Sequence, residues 1–378
     1  MQYRKFGKDG FKVSTLGFGC MRLPIINNDP SKINEKEALK IIRHAIDNGV
    51  NYLDTAYPYH GGNSEILVGK VLKNGYRKKV RIATKMPVWL VEKYEDFDKY
   101  LNEQLKRLDV DYIDYYLLHA MTKDRMDKME NLGVFKFLNK ALEGGKINHV
   151  GFSFHDNLMA FKHIINIFPW EFCQIQFNYL DEDYQAGIDG LEYAADKGLS
   201  VVVMEPLKGG LLSGNLPEDI KNIFNKSKAK KSPVDWALSW VLNHPEVSVL
   251  LSGMNSLEQV NENISIASKT LPNSISEEDM DLIEQAKEKF NALMKIKCTR
   301  CGYCSPCKVD LDIPHIFSIY NNYFMYNNKE SIFNKYNNMP KKSKASSCIS
   351  CGKCEDNCPQ HLPIRVLLRQ VKSTFEEK

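Results

Sequence analysis

Eight of the ten cysteines of this chain lie near its C-terminal end, at regular spacing. They are Cys298, Cys301, Cys304 and Cys307, followed by Cys348, Cys351, Cys354 and Cys358. Three thiolates from one short loop and a fourth from elsewhere can hold a 4Fe-4S cluster, whereas a structural zinc takes cysteine pairs from two loops. The spacing predicts two 4Fe-4S clusters; two four-cysteine zinc sites and disulfides are the alternatives.

The length of the chain requires a larger unit in front of these cysteines. The 378 residues are 43% hydrophobic and 26% charged, which is typical of a soluble globular protein. One core of ordinary size does not accommodate so long a chain, so we expect two domains, at residues 1–295 and 296–378.

The composition also indicates where the protein resides and what it binds. The N-terminal residues lack the apolar run of a signal peptide, and no later stretch has the about 18 apolar residues that span a bilayer. Thiolate ligands without such a signal predict a reducing cytoplasm and no membrane contact.

A net charge of +4 is too small to indicate nucleic acid. Basic runs at residues 226–231 and 341–344 either receive an acidic redox partner or are solvated loops.

Short apolar runs alternate with amphipathic stretches from residue 15 to residue 253. The runs cover residues 15–20, 51–56, 80–85, 114–119, 149–154, 172–177, 200–206 and 247–253. They are apolar nearly throughout, as strands are when other elements cover both faces. The eight strand-then-helix units predict an α/β fold, the (β/α)8 barrel. A doubly wound nucleotide-binding fold is the alternative, although no Gly-x-Gly-x-x-Gly follows a strand.

Two further segments complete the predicted fold. Asp9-Gly10 separates two short β-prone runs, a pattern typical of a β-hairpin, which we expect to cover the N-terminal end of the barrel. Residues 308–347, between the two cysteine motifs, are longer than a compact sheet-based ferredoxin requires. We therefore expect a small, mainly helical two-cluster ferredoxin-like domain.

Four polar residues follow apolar runs at neighbouring strand ends. Asp54 lies near the end of the second run, Tyr59 follows Asp54 by five residues, Lys85 ends the third run and His119 ends the fourth. Each alone has an ordinary structural explanation, such as a core histidine or a strand-end cation. Because the C-terminal ends of barrel strands form the active face, their coincidence predicts a catalytic site.

These side chains suit the reduction of a carbonyl group by hydride. The oxygen that receives hydride also needs a proton, which Tyr59 can supply as a general acid. Bringing a phenol from its usual pKa of about 10 to neutrality requires about 4 kcal/mol. The ammonium of Lys85 at about 4 Å supplies roughly that amount at an intermediate dielectric constant. Asp54 would keep Lys85 charged, and His119 would orient the carbonyl oxygen as a neutral donor.

With these residues identified, the first 290 or so positions resemble an aldo-keto reductase. The segment LDTAYPYHGGNSEILVGKVL resembles that family's segment around the first two catalytic residues. The family's catalytic tetrad corresponds to Asp54, Tyr59, Lys85 and His119. With the cysteine-rich tail, the whole chain resembles the iron-sulfur-containing subgroup of the family.

The resemblance implies a cofactor, NADPH or NADH, bound in extended form across the barrel mouth without a Rossmann fold. By position, Ser153 and Gln174 would bond the carboxamide, Leu207 and Gly209 would lie along the pyrophosphate, and Gln259 and Asn263 would face the adenosine end. A helix start after the last strand suits phosphate on physical grounds.

Some positions depart from the family pattern. Met204 stands where many relatives place an aromatic ring against the nicotinamide. No Lys or Arg lies between Ser252 and Asn263 to hold a 2′-phosphate, so the sequence favours neither NADH nor NADPH; Lys208 is the nearest basic residue. In the first cysteine motif a proline, Pro306, lies inside the last gap.

The ferredoxin pattern also predicts how the cysteines are shared. Cys358 would complete the cluster of the first run, and Cys307 would complete the cluster of the second.

A hydride donor moves two electrons and a 4Fe-4S cluster moves one, so the sequence leaves three functions open. The first is an oxidoreductase acting on a small carbonyl or alcohol substrate, with clusters linked to an electron-transfer protein. The second is a self-sufficient reductase whose clusters are structural or redox-sensing. The third is a redox-responsive binding protein on the same barrel, which the intact tetrad disfavours. The sequence does not specify the substrate; Trp89, Tyr57 and Phe154 are candidate pocket residues.

Overall fold

The computed structural model describes residues 1–8 and 10–377. The strands of these residues are β1 (Tyr3–Phe6), β2 (Phe11–Ser14), β3 (Leu16–Gly19), β4 (Ile25–Ile26), β5 (Asp29–Ile33), β6 (Tyr52–Asp54), β7 (Arg81–Met86), β8 (Ile113–Met121), β9 (Ile147–Phe154), β10 (Phe172–Gln176), β11 (Ser200–Met204) and β12 (Val247–Ser252).

The helices alternate with the barrel strands and then continue alone. They are α1 (Glu35–Asp47), α2 (Asn63–Val71), α3 (Glu95–Leu108), α4 (Lys123–Asn131), α5 (Val134–Glu143), α6 (Leu158–Ile167), α7 (Gly187–Asp196), α8 (Glu218–Phe224), α9 (Pro233–Leu242), α10 (Leu257–Lys269), α11 (Glu277–Leu293), α12 (Ile313–Met325), α13 (Lys329–Asn337), α14 (Lys353–Asp356) and α15 (Ile364–Glu376). Among the described residues, none of these helices is long and apolar enough to cross a bilayer.

Eight parallel strands close into a barrel. Their order around it is β3-β6-β7-β8-β9-β10-β11-β12, with β12 pairing back to β3. Every residue of β8 is buried, as expected for a strand covered by side chains inside the barrel and by helices outside. The predicted (β/α)8 barrel is confirmed, and the doubly wound alternative is wrong.

The N-terminal hairpin covers one end of this barrel, as predicted. Strands β1 and β2 pair antiparallel from Tyr3↔Ser14 to Phe6↔Phe11; Asp9, in the predicted turn, lies outside the described residues. The ring of Phe6 lies 4.7 Å from Tyr115 and 5.5 Å from Phe172 between ring centroids. These aromatic contacts fill the N-terminal end of the barrel, so the opposite end is left for chemistry.

The chain divides into two compact units. One contains Met1–Pro206 and Val234–Ile275, and the other contains Leu207–Pro233 and Ser276–Lys378. In the second unit, α8 packs on α11, where Lys289 pairs with Asp219 at 2.7 Å. This unit therefore extends beyond the cysteine-rich segment, and the domain boundary between residues 295 and 296 stays a prediction.

The cysteine-rich segment is mainly helical, as expected. Helix α15 buries Ile364, Leu368, Val371 and Phe375, which recur at helical spacing along one face. The ring of Phe375 stacks on Tyr336 at 4.5 Å between centroids. Six of the eight cysteines pack against this apolar core: Cys298, Cys304, Cys307, Cys348, Cys354 and Cys358.

Candidate active site

The four predicted catalytic residues lie at the C-terminal ends of three neighbouring strands. Asp54 is the last residue of β6, Lys85 is the fifth of six residues in β7, and His119 lies near the end of β8. Tyr59 begins a short 3-10 turn, Tyr59–Gly62, in the loop after β6. Because β6, β7 and β8 are adjacent in the barrel, the four side chains are brought together.

Lys85 is the centre of the group. Its Nζ donates to Asp54 Oδ1 at 2.6 Å, to the Thr55 carbonyl at 2.9 Å and to the Tyr59 hydroxyl at 3.4 Å. Burial lowers the pKa of Lys85 and raises the pKa of Asp54, while the attraction between the two opposes both shifts. The carboxylate therefore keeps the lysine protonated next to the phenol.

His119 presents a neutral imidazole to the same space. Burial, followed by repulsion from Lys85, holds its pKa well below the ordinary value of a histidine. Its ring centroid lies 6.0 Å from that of Tyr59 and 5.1 Å from that of Trp89. A neutral ring beside the phenol can donate a hydrogen bond to a carbonyl oxygen without competing for the proton.

The backbone after His119 is held in an uncommon conformation. Ala120 has a φ of 54°, and its N–H donates to Ser153 Oγ at 2.7 Å. The pairing of β8 with β9 shifts register at the same place, between Leu118 and Met121. Ser153 thus holds the backbone directly after the histidine.

A buried polar network supports Lys85 from behind. The carboxylate of Glu65 accepts from Thr84 Oγ1 at 2.6 Å, from Gln104 Nε2 at 2.7 Å and from Arg107 Nη1 at 3.3 Å. Gln104 Nε2 also lies 3.0 Å from the carbonyl oxygen of Lys85. This network was not predicted from the sequence. Its only signal was Glu65 in the first turn of α2, directly before the apolar residues 66–68.

A second histidine fixes the turn that carries Tyr59. His60 has a φ of 54°, and its Nδ1 lies 2.6 Å from the carbonyl oxygen of Pro30. The backbone N–H of Leu23 donates to Nε2 at 3.3 Å, which makes Nδ1 the protonated nitrogen. Burial lowers the pKa of His60 and keeps the ring neutral. The hairpin of β4 and β5 thereby anchors the turn, a role that no local sequence pattern indicates.

The residues predicted to meet the nicotinamide lie inside the barrel mouth. Gln174 and Ser153 are each 2% exposed, on the adjacent strands β10 and β9. Burial raises the pKa of Asp54, and a hydrogen bond from Gln174 opposes part of that rise. Within the described residues, the buried Gln174 Oε1 accepts no hydrogen bond. A buried acceptor of this kind suits an amide N–H from a ligand.

The residues predicted for the adenosine end flank the start of α10. Ser256 caps this helix, and its side chain accepts from the N–H of Gln259. Gln259 Oε1 accepts from the N–H of Asn255 at 2.8 Å, while Asn263 Nδ2 donates to Ser252 Oγ at 3.0 Å. Both predicted side chains therefore stabilise the junction of β12 and α10.

The residues predicted for the pyrophosphate, Leu207 and Gly209, belong to the other compact unit. Gly209 has a φ of +63°, and a Cβ added there would overlap the carbonyl oxygen of Thr299. Thr299 is 1% exposed and directly follows Cys298. The turn at Gly209 therefore packs on the backbone of the first cysteine run, which the sequence did not indicate.

The barrel region identifies the family of this chain. The family model of the aldo/keto reductases matches residues 15–288. The chain belongs to the aldo/keto reductase family. It is 30% identical over 316 residues to a probable aldo-keto reductase of Glycine max, covering 75% of this chain and 88% of that protein.

Solved aldo-keto reductases have the same barrel. The holo form of AKR11C1 from Bacillus halodurans is 28% identical and superposes with a TM-score of 0.63, covering 76% of this chain and 96% of that one. An enzyme from Klebsiella pneumoniae, solved in complex with NADPH, is 23% identical with a TM-score of 0.58, over 75% and 94% of the two chains. The latter likeness shows the fold.

This aldo/keto reductase also carries a 4Fe-4S dicluster domain. The model of that domain matches residues 297–362, which contain all eight clustered cysteines. The match favours iron-sulfur clusters over the zinc and disulfide alternatives. It also confirms the predicted ferredoxin-like class of the C-terminal region.

The first cysteine run of the reductase meets one cysteine of the second. Burial raises the pKa of the Cys304 thiol, and interactions with Cys301, Cys298 and Cys358 raise it further. Cys358 therefore lies beside the first run although it is far from it in sequence.

The second run meets Cys307 in the same way. Burial, Glu355 and Cys348 raise the pKa of Cys354 to about 11, and Cys307 adds to the shift. Cys307 lines one cavity together with Cys348, Cys351 and Cys354, and Cys304 of the first run also borders it. In the described residues no three His, Cys, Asp or Glu side chains meet as ligands of a single ion. Thiols placed around a cavity suit a cluster, in which each cysteine bonds a different iron.

The three candidate pocket residues of the reductase differ in position. Trp89 lies beside His119. Phe154 is fully buried and packs on Phe161 at 4.9 Å between ring centroids. The guanidinium carbon of Arg107 lies 4.0 Å from the ring centroid of Tyr57. Trp89 is therefore the best placed of the three to contact a substrate.

Proposed function

We propose that this reductase uses NADPH or NADH to interconvert small aldehydes or ketones and alcohols, with its two 4Fe-4S clusters linked to a further redox partner. The observation that carries the proposal is the position of Lys85. Its ammonium joins the carboxylate of Asp54 at 2.6 Å and the hydroxyl of Tyr59 at 3.4 Å, beside the neutral ring of His119.

In the direction of reduction, a bound nicotinamide dinucleotide would supply hydride to the carbonyl carbon. Tyr59 gives its hydroxyl proton to the carbonyl oxygen as negative charge develops there. The ammonium of Lys85 stabilises the phenolate that remains on Tyr59, and Asp54 stabilises the ammonium. His119 orients the carbonyl oxygen by donating from a ring that is not protonated a second time.

The side chains at the barrel mouth fit a nicotinamide carboxamide. Gln174 Oε1 is buried with its acceptor capacity unused within the described residues, so it can accept from the amide N–H₂. Ser153 Oγ already accepts from Ala120 N, which leaves its hydroxyl hydrogen to donate to the amide oxygen.

The sequence between Ser252 and Asn263 offers no cation for a 2′-phosphate. We therefore propose no preference between the two dinucleotides, and a titration with each decides it.

The cysteine ligands are proposed as two crossed sets. Cys298, Cys301, Cys304 and Cys358 would hold one cluster, and Cys307, Cys348, Cys351 and Cys354 would hold the other. Two sets of electrostatic interactions support this assignment: those of Cys304 with Cys298, Cys301 and Cys358, and those of Cys354 with Cys348 and Cys307. Reduced thiols suit the predicted cytoplasmic location.

A structural role for the clusters is the second candidate function. It is favoured by the same crossing of the cysteines, because each cluster would tie two distant parts of the chain together. Anaerobic addition of NADPH separates the candidates. Bleaching of the cluster absorbance supports electron exchange, whereas full carbonyl reduction without bleaching supports the structural role.

The catalytic proposal is tested by Tyr59→Phe in anaerobically purified protein. We expect the rate of aldehyde reduction to fall about 10²–10⁴-fold, because the general acid is lost. Iron content and NADPH affinity, measured by nicotinamide fluorescence, should stay as in the parent protein.

Tyr76→Phe is the matched control. Its hydroxyl also bonds a charged side chain, donating to Asp47 at 2.8 Å, but this bond is exposed to solvent and Tyr76 is only half-buried. Activity should change less than about twofold. A Tyr59→Phe enzyme as active as this control would contradict the proposed role.

A further inference from the structure

The second cysteine loop places its cluster site at the protein surface. Cys307, Cys348, Cys351 and Cys354 line one cavity, and Cys304 also borders it. Cys351 is exposed, and Ile349, which lines the same cavity, has 58% of its surface exposed. A cluster held by these cysteines therefore has one edge close to solvent, which is where a one-electron exchange with another protein is fastest.

The rim of this cavity is basic. Lys308, Lys353 and Arg365 line it, and all three are exposed. Glu355 pairs with Arg365 at 2.7 Å and offsets part of that charge. Lys308 directly follows the first cysteine motif and Lys353 lies within the second, so only the fold brings the two lysines to one rim.

The rim differs from the two basic runs that the sequence analysis identified. No residue of 226–231 or 341–344 lines the cavity. The local arrangement is an apolar centre, Ile349, with cations around it. Protein interfaces commonly have an apolar centre and a polar rim, and charges of one sign steer a partner of the opposite sign.

We propose that this surface docks a small acidic electron-carrier protein, which exchanges one electron with the cluster of Cys307, Cys348, Cys351 and Cys354. The inference deepens the proposed function and rests on its assignment of clusters linked to a redox partner. The exchange makes and breaks no bond. The cluster changes between its 2+ and 1+ states, and the carrier gains or loses the same electron.

The test compares two double variants of the full-length, cluster-loaded protein. Lys308→Glu/Lys353→Glu reverses the rim, and Lys341→Glu/Lys342→Glu makes the same change of charge at exposed lysines away from the cavity. Clusters reduced with dithionite are mixed anaerobically with an anionic oxidant, tris(oxalato)cobaltate(III), or a cationic one, hexaamminecobalt(III). Stopped-flow absorbance follows reoxidation of the clusters.

We expect the rim variant to react about tenfold more slowly with the anionic oxidant and faster with the cationic one at low salt. The control variant should change less than about twofold, and 0.5 M salt should remove the differences. Equal effects of the two variants, or no change in the rim variant, would overturn the proposal. If the glutamate pair lowers iron content, Lys308→Gln/Lys353→Gln should show the same direction with a smaller change.

A protein probe tests docking itself. With an acidic 2Fe-2S ferredoxin as the oxidant, the rim variant should again be slower than the control variant. A ferredoxin rate equal in both variants would overturn the docking surface even if the small ions discriminate.

These measurements do not depend on the barrel chemistry, because dithionite reduces the clusters directly. A wild-type protein without NADPH-dependent carbonyl reduction would contradict the proposed function, while the rates of the two variants would still decide the docking surface.

Discussion

The barrel site and the cysteine loops differ in what holds their reactive groups in place. In the barrel, Lys85 and Asp54 are 1% and 3% exposed and bond each other, and Glu65 and its partners support the strand behind them. In the cysteine loops, Cys351 is exposed and the other seven cysteines are partly exposed. Burial and the neighbouring thiols raise the pKa of Cys304, and burial, Glu355 and Cys348 raise that of Cys354 to about 11.

This difference indicates how each site becomes ordered. Hydrogen bonds among the protein's own atoms orient the barrel site, so it is complete when the barrel folds. The thiols of each cysteine set become ligands by losing protons, and the iron then supplies the bonds that join them. The barrel site should therefore respond to single side-chain changes through chemistry, and the cysteine loops through loss of iron.

Among the changes that compare the barrel site with the cysteine loops, Asp54→Asn should have the largest effect. Removing the carboxylate takes away the charge that opposes the burial of Lys85, so the pKa of Lys85 falls further. Lys85 then loses its proton at a lower pH than in the parent enzyme. Activity should fall about 10²-fold near neutrality, and its decline with rising pH should begin at lower pH. Steady-state rates across a pH series measure both changes.

Asp114→Asn is the matched control for this change. Asp114 is also a buried strand carboxylate that pairs with cations, Arg77 at 2.9 Å and Arg81 at 3.1 Å. Its loss should lower the melting temperature without moving the pH profile. If Asp54→Asn left the pH dependence of activity unchanged, or lowered the iron content, the proposed difference between the barrel site and the cysteine loops would be wrong.

Iron content should distinguish pairs of cysteine substitutions. In the crossed assignment, Cys301→Ala/Cys358→Ala removes two ligands of one cluster and should keep about half of the iron. Cys351→Ala/Cys358→Ala removes one ligand from each cluster and should lose nearly all of it. Iron and sulfide analysis after anaerobic purification measures this. If Cys301→Ala/Cys358→Ala instead lost nearly all of the iron and Cys351→Ala/Cys358→Ala kept about half, each run would hold its own cluster.

The smallest expected effect tests the contact between the turn at Gly209 and the first cysteine run. Gly209→Ala places a methyl group against the carbonyl oxygen of Thr299, so it should displace the neighbouring Cys298. We expect lower iron content and about threefold weaker NADPH binding, measured by fluorescence titration.

Gly210→Ala separates this overlap from backbone strain. Gly210 also has a positive φ, +93°, but the nearest atom to its added Cβ is Ser213 Oγ at 3.6 Å. Its iron content should match that of the parent protein. Equal losses of iron in both variants would assign the effect to strain alone.

Much of the fold and of the candidate site follows from local sequence patterns. The eight apolar runs coincide with β3, β6, β7, β8, β9, β10, β11 and β12, because strands covered on both faces have to be apolar. Asp54, Lys85 and His119 were found because a polar residue at the end of such a run is conspicuous. The cysteine spacing predicted the dicluster domain for a similar reason, since ligand geometry constrains nearby residues.

The supporting contacts were not predictable in this way. Glu65 and Gln104 are 39 residues apart, and His60 and Pro30 are 30 apart, so only the packing of helices and hairpin on the barrel brings them together. The contact of Gly209 with Thr299 likewise depends on two segments that meet only in the folded chain.

The sequence by itself determined the class of each site: a tyrosine with a lysine and a carboxylate for proton transfer, and cysteine runs for iron. These are properties of residue types at short spacing, which local chemistry controls. Only the tertiary structure decided which side chains support Lys85, that Gly209 packs on Thr299, and that Lys308 and Lys353 share one rim. Such contacts depend on how the whole chain buries its apolar surface, and that is a non-local property.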